Sequence, residues 1–119
     1  ISNSVDQPIY VQIKNQMKTQ ILHGQLQEKE SLPSIRKLAK DLQVSVITTK
    51  KAYEELEKEG LIETFPGKGS FVSSQNPEWL REKQLKLIED HMAKMLEDSK
   101  AFNISLDELI EMMTLLYEE

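Results

Sequence analysis

The stretch Leu32-Pro33-Ser34-Ile35-Arg36-Lys37-Leu38-Ala39-Lys40-Asp41-Leu42-Gln43-Val44-Ser45-Val46-Ile47-Thr48-Thr49-Lys50-Lys51-Ala52-Tyr53-Glu54-Glu55-Leu56-Glu57-Lys58-Glu59-Gly60 contains two helix starts close together. Ser34, directly after Pro33, is placed to accept a backbone N–H that a first helical turn leaves unpaired. Ile35, Leu38, Ala39 and Leu42 follow as an apolar stripe at helical spacing. Gln43-Val44-Ser45 interrupts that stripe after about ten residues. Ser45 then caps a second helix, with Thr49, Ala52, Tyr53 and Leu56 on its inner face and Gly60 at its close. Two helices, the first barely two turns long, joined by so short a turn make a helix-turn-helix.

Reading outward, Leu61-Ile62-Glu63-Thr64-Phe65 has strand character. Pro66-Gly67-Lys68-Gly69 reads as a tight turn and Ser70-Phe71-Val72 as the returning strand. A helix-turn-helix followed by such a hairpin is a winged helix. Upstream, Pro8 suits the first position of a helix, where its missing N–H costs nothing. Ile9, Ile13, Met17 and Ile21 then recur every four residues until Gly24. The segment 25–33 is a connector with room for one very short strand.

After Val72 the composition changes. Ser73-Ser74-Gln75 is a polar linker, and Asn76-Pro77 starts a long helix reaching to about Asp98. That helix carries Leu80, Leu85, Ile88, Met92, Met95 and Leu96. Asn103-Ile104 breaks the pattern. Ser105-Leu106-Asp107-Glu108 is then a capping box opening a last helix, with Leu106, Leu109, Ile110, Met113, Leu116 and Tyr117 on one side. The expected organisation is a mainly α chain with a winged helix-turn-helix over residues 8–74 and a two-helix appendage over 75–119. An appendage of about 45 residues cannot bury two apolar faces by itself. A second copy of the chain is the economical cover, since closed two-fold dimers dominate soluble oligomers. The residues expected in that interface are Leu85, Ile88, Met92, Met95, Leu106, Leu109, Ile110, Met113, Leu116 and Tyr117. Packing back on its own winged helix is the competing arrangement.

The chain has 119 residues, 39% hydrophobic and 29% charged, with a net charge of −5. That composition is neither disordered nor membrane-spanning. Ile1-Ser2-Asn3-Ser4-Val5-Asp6 carries no apolar signal-peptide core. Having no cysteine excludes disulfides and thiolate metal sites and fits a cytoplasmic setting. His23 and His91 have no companions at ligand spacing, so neither a metal nor a cofactor is expected. The charge is uneven. Residues 8–74 hold ten Lys/Arg against eight Asp/Glu, whereas 75–119 hold five against eleven. Within Lys29–Lys51 six basic residues face two acidic ones. A polyanion responds to such a local field rather than to the net charge of the molecule.

Taken together, Leu32-Pro33-Ser34-Ile35-Arg36-Lys37-Leu38-Ala39, Leu42-Gln43-Val44-Ser45 and Ala52-Tyr53-Glu54-Glu55-Leu56-Glu57-Lys58-Glu59-Gly60-Leu61-Ile62 resemble the GntR family of bacterial transcription regulators. Pro8-Ile9-Tyr10-Val11-Gln12-Ile13 before them and Gly67-Lys68-Gly69-Ser70-Phe71-Val72 after them extend the resemblance. The short helical tail is similar to the YtrA-like subfamily. The resemblance implies a repressor that binds a palindromic double-stranded DNA operator as a homodimer, with the tail as dimerisation module. It does not specify an effector.

The candidate DNA-binding residues follow from groove chemistry, in which phosphate contacts position and base edges specify. Ser34 and Arg36 sit at one helix N-terminus, suited to a phosphate or a guanine. Ser45, Val46, Ile47, Thr48, Lys50 and Lys51 form the exposed start of the recognition helix, Ser45–Glu59. Lys68 and Gly69 lie at the wing tip, Gly67–Gly69. Three positions depart from the family pattern. Val46 stands where most members have Arg, Ile47 replaces a common Thr, and Gln43 replaces the usual turn Gly. Val46 and Ile47 suit thymine methyl groups, or else packing against neighbouring protein or the wing; the residues alone leave both open. Lys50 and Lys51 are expected on phosphates as point charges.

An enzyme is the poorest reading, since no acid–base pair, nucleophile with its base, phosphate-cradling loop or metal cluster is present. A winged-helix protein-interaction module without DNA binding is the alternative. An RNA-binding role lacks a stacking surface, because Tyr10, Tyr53, Phe65 and Phe71 read as core or strand residues.

Overall fold

Serine hydroxyls set the starts of three helices. Ser34 Oγ accepts the Lys37 N–H at 3.1 Å, Ser45 Oγ accepts that of Thr48 at 3.0 Å, and Ser105 Oγ accepts that of Glu108 at 3.1 Å. Glu108 returns a carboxylate to the Ser105 N–H, completing the capping box. The computed structural model describes residues 6–119, so residues 1–5 of the opening Ile1–Asp6 stretch lie outside it. The elements run α1 (Ile9–Leu22), α2 (Ile35–Leu42), α3 (Val46–Lys58), β1 (Ile62–Phe65), β2 (Gly69–Val72), α4 (Pro77–Ala101) and α5 (Leu106–Tyr117). This is the mainly α winged helix expected from the sequence. Pro8 caps α1 from just outside it, with ψ at 149°, and its carbonyl accepts the N–H groups of Val11 and Gln12. No described helix is long and apolar enough to cross a membrane.

α3 is the element on which α1, α2 and β1 all pack. Thr49, Ala52, Tyr53 and Leu56 are buried along its inner side, together with Ile13, Ile21, Leu61, Ile62 and Val72. Two long-range polar links hold the arrangement. The Tyr53 hydroxyl donates to the Pro33 carbonyl at 2.7 Å, joining α3 to the residue before the Ser34 cap. Glu59, at the end of α3, accepts from Lys18 at 2.7 Å and lies 3.2 Å from Lys14, both on α1. Burial pushes the Glu59 carboxyl up, but its hydrogen bonds and charge pairing with Lys18 and Lys14 outweigh that and hold it below its ordinary value.

The stripe of α2 is less buried than its spacing suggests. Only Ala39 is fully covered, while Ile35, Leu38 and Leu42 are half-buried. The reason is a cleft of about 310 Å³ in which Leu38 and Leu42 face Ile13 and Met17 of α1 beside Leu26 and Leu32. α2 ends at Gln43, whose φ of 58° and ψ of 43° are left-handed.

In the wing, Ile62 pairs with Val72, Glu63 with Phe71, Thr64 with Ser70 and Phe65 with Gly69. The strands are each offset by one residue from the sequence-based bounds, starting at Ile62 and Gly69. At the tip the Lys68 N–H returns to the Phe65 carbonyl at 2.9 Å, and Gly67 takes the φ of +76° that a Pro-Gly turn demands. Phe65 is half-exposed, its ring 6.0 Å from that of Phe71. The connector supplies the short strand: Ser31 bridges Phe71, and Lys29, Glu30 and Leu32 exchange backbone hydrogen bonds with Val72 and Ser70.

Contacts divide the chain into two compact units, one ending at Leu80 and the other spanning Arg81–Glu119. The first turn of α4 belongs to the first unit, where the Trp79 ring lies beside Gly60. In the second unit α4 turns into α5 through Asn103, left-handed at φ 59°, and Ile104 donates to the Ser99 carbonyl at 2.8 Å. Among the residues expected in the interface, Leu109 is 6% exposed within the single chain. Met95 is half-buried. Leu85, Ile88, Met92, Leu106, Ile110, Met113, Leu116 and Tyr117 are exposed, and so are Phe102, Met112 and Leu115, which the one-sided sequence reading left out.

Two outcomes are expected from this packing. A left-handed non-glycine residue is strained, so Gln43→Gly is expected to stabilise the fold by about 0.5–1 kcal/mol after the glycine's extra unfolded-state freedom is subtracted. The check is a higher urea midpoint at unchanged slope; a lower midpoint contradicts it. Tyr53 is 3% exposed, and burial pushes its hydroxyl from near 10 up to about 12. Below pH 10 both native and unfolded chains keep that proton. Above it the unfolded chain ionises first, so stability falls as pH rises from 10 to about 12, by at most ~1.4 kcal/mol per pH unit from this group. Tyr53→Phe is expected to cost about 1 kcal/mol at neutral pH and to lack this part of the alkaline decline. Denaturation midpoints of both proteins between pH 8 and 12 measure it.

Candidate nucleic-acid interface

With the inner side of α3 buried, its first turn is left pointing outward. Val46 is 45% exposed and Ile47 81%. The two hydroxyls beside them are engaged with each other, since Ser45 Oγ accepts the Thr48 N–H and donates to Thr48 Oγ1 at 2.8 Å. Thr49, one residue on, is fully buried and donates to the Ser45 carbonyl at 3.1 Å. The turn is therefore braced from inside and apolar outside.

The cations divide into free and engaged groups. Arg36 is exposed in the first turn of α2 and, among the described residues, forms no ion pair. Lys40, four residues on and hence on the same side of the helix, is likewise exposed with no ion pair among the described residues. The sequence reading left Lys40 out. Its i, i+4 spacing from Arg36 is the signal that marks it, although it lies a full turn beyond the Ser34 cap. Lys37 is exposed and 3.3 Å from Asp41.

On α3, Lys50 is exposed with its ammonium 4.0 Å from Glu54, a loose surface pair of the kind worth little. Lys51 has a structural partner that its sequence neighbourhood did not reveal. Its ammonium sits 4.4 Å from the centroid of the Tyr10 ring, tying α3 to α1. At the wing, Lys68 and Gly69 are exposed, Gly69 at φ +105°.

Placement of these residues depends on packing behind them. The Tyr53–Pro33 hydrogen bond holds the entry of α2 against α3, so the Ser34 and Ser45 caps belong to one braced unit. The Lys14–Glu59–Lys18 group does the same for the far end of α3. What the surface offers is an apolar centre on α3 together with cations on α2, α3 and the wing. Among the described residues no group of His, Cys, Asp or Glu could hold a metal ion.

Comparison with known proteins agrees with this architecture. Residues 9–72 match the family described as bacterial regulatory proteins, gntR family. The HTH-type transcriptional repressor YtrA of Bacillus subtilis is 36% identical over 104 residues, which cover 87% of this chain and 80% of that protein. The fold is similar to that of a GntR family transcriptional regulator from Listeria monocytogenes, with a TM-score of 0.83 over 96% of this chain and 97% of that one at 24% identity. AraR(DBD), whose structure was solved in complex with operator ORX1, is 26% identical with a TM-score of 0.56, covering 61% of this chain and 92% of that one. With the family match running through helix-turn-helix and wing alike, and the similarity to YtrA continuing into the tail, this chain belongs to the GntR family of bacterial regulatory proteins.

Proposed function

We propose that the chain is a sequence-specific regulator of transcription, a repressor that binds a palindromic double-stranded operator as a homodimer. α3 enters the major groove, Ser34, Arg36 and Lys40 of α2 approach the backbone, and Lys68 at the wing tip lies on flanking phosphates or in the minor groove. The observation that carries this reading is the uncovered first turn of α3, apolar at its centre and accompanied by the free cations Arg36, Lys40 and Lys68. A duplex presents the complementary arrangement, base edges between two phosphate rows. The names of YtrA, a repressor, and of AraR(DBD), bound to an operator, point the same way. Residues 8–74 are then the DNA-binding part and residues 75–119 the dimerisation part.

The dimer follows from α5. Leu106, Ile110, Met112, Met113, Leu115, Leu116 and Tyr117 are all exposed in the single chain, Tyr117 at 90%, and they spread over well over half of the circumference, leaving a polar strip at Asp107, Glu111 and Thr114. Apolar surface that wide on one helix is stabilising only when it is covered, while the polar strip can stay in water. A second copy, related by a two-fold axis, supplies that burial and places two recognition helices on a symmetric site. A second reading, a protein-interaction module, draws on the same exposed Val46 and Ile47 but requires that the basic residues contribute nothing and that no duplex is bound.

Selection from random duplexes followed by footprinting tests the proposal directly. Expected is a two-fold symmetric protected site whose halves lie about one helical turn apart; no protection, or a single unpaired imprint, overturns it. Affinity for the selected site is expected to fall with salt at a log–log slope of about −5 to −9, for roughly 6–10 phosphates neutralised by the dimer. A flat salt response would point to the interaction module. Met113→Glu, on an exposed face where the single-chain fold tolerates it, is expected to shift sedimentation from dimer to monomer and weaken operator binding at least tenfold, through loss of the linked second half-site. A variant that still sediments as a dimer with full affinity would remove α5 from the interface.

A further inference from the structure

We infer that Val46 and Ile47 are specificity determinants that read the 5-methyl groups of thymine, so that each operator half-site is set by apolar contacts rather than by a guanine fork. The inference rests on the reading of α3 as a groove-entering helix and adds what that helix selects.

The first turn of α3 is short of hydrogen-bonding side chains that can reach out. Ser45 and Thr48 spend their hydroxyls on the cap and on each other. Thr49 is buried and bonded to the Ser45 carbonyl. Lys51 is held over the Tyr10 ring, and Lys50, only loosely paired with Glu54, is a point charge without a planar fork. Residues 45–51 contain no Arg, Asn or Gln, the side chains that grip guanine or adenine in two-point fashion. Left at the surface are two adjacent β-branched side chains, with Ile47 more exposed than any other aliphatic side chain described in the first unit.

Their exposure bears on the uses that the sequence left open. Ile47 keeps 81% of its surface and Val46 45%, so the wing and the helices of their own unit leave both within reach of a ligand. Both are stiff at χ1, so little side-chain freedom is lost when they are pressed against a ligand. On the floor of the major groove the C5-methyl of thymine is the one apolar group that distinguishes a base pair. On α2, which packs on α3, Arg36 and Lys40 are exposed and unpaired among the described residues, a charge suited to phosphates. A protein partner with an apolar centre would need an acidic rim of the same spacing; a duplex has one by construction.

The test leaves the protein unaltered and edits the DNA. The highest-affinity duplex selected from a random pool is resynthesised with each thymidine replaced in turn by deoxyuridine, which deletes the methyl and keeps every hydrogen-bonding edge. Expected is a loss of about three- to fivefold at one or more thymine positions in each half-site, the worth of one buried methyl group. Ile47→Ala, truncating an exposed side chain, is expected to bind the thymidine duplex more weakly and to lose sensitivity to the replacement at its own position. Val46→Arg is expected to move selection toward guanine. Equal binding of thymidine and deoxyuridine duplexes at every position, or guanine-rich half-sites selected by the unaltered protein, overturns the inference while leaving DNA binding intact. Failure to bind any duplex overturns it together with the proposed function.

Discussion

Thr49, Ala52, Tyr53 and Leu56 lie along one side of a 13-residue helix, all of them buried, and the other elements of the winged helix are arranged around that side. α1, α2 and β1 each pack on α3, and the hydroxyl of Tyr53 reaches back to Pro33. A helix buried along one side has no choice about what it shows on the other. The same packing that makes α3 the centre of the core exposes Val46 and Ile47 at its first turn, where the caps of Ser34 and Ser45 have already placed two helix N-termini. In the proposed function, stability and recognition are thus two sides of one helix. Substitutions on the inner side act on folding, and those on the outer side are then free to change specificity.

Electrostatics sorts the cations into two duties. Lys14 and Lys18 serve Glu59, and Lys51 serves Tyr10; these hold α1 against α3. Arg36, Lys40 and Lys68 are exposed and without ion pairs among the described residues, so their fields project outward. A protein with net charge −5 can present such a surface because screening in water confines each charge to within roughly 10 Å. Its acidic excess lies in residues 75–119, on a different part of the chain from the surface offered to a polyanion.

The appendage has the opposite character. Where the first unit buries its apolar residues, the second leaves most of them in water, and α5 is apolar over all but a strip at Asp107, Glu111 and Thr114. Apolar side chains so dense on a helix are stabilising only when removed from water. The capping box at Ser105 and the left-handed Asn103 fix how α5 starts, so its faces are presented in a defined order. In the proposed dimer this preorganisation lowers the ordering cost of association.

The features readable from the residues were those carried by neighbours in the chain. A serine cap acts over three residues, an apolar stripe over one or two turns, and the Pro66-Gly67 turn over four, so helix starts, wing and core stripe of α3 were all legible. Gln43 was legible as a departure from the glycine usual at that turn, though its left-handed conformation was not. Contacts that join residues far apart were illegible: Tyr53 with Pro33, Lys51 with Tyr10, Glu59 with two lysines of α1, Trp79 beside Gly60, and Ser31 on the edge of β2. Each depends on how elements cross in space, which no local pattern encodes. For the same reason the sequence by itself determined which residues stand at the start of α3, whereas the tertiary structure alone decided which side chains are covered or paired. Leu109 was buried and Lys51 held against the Tyr10 ring, while Ile47 and Lys40 were left exposed without such a partner, because burial and pairing depend on neighbours in three dimensions.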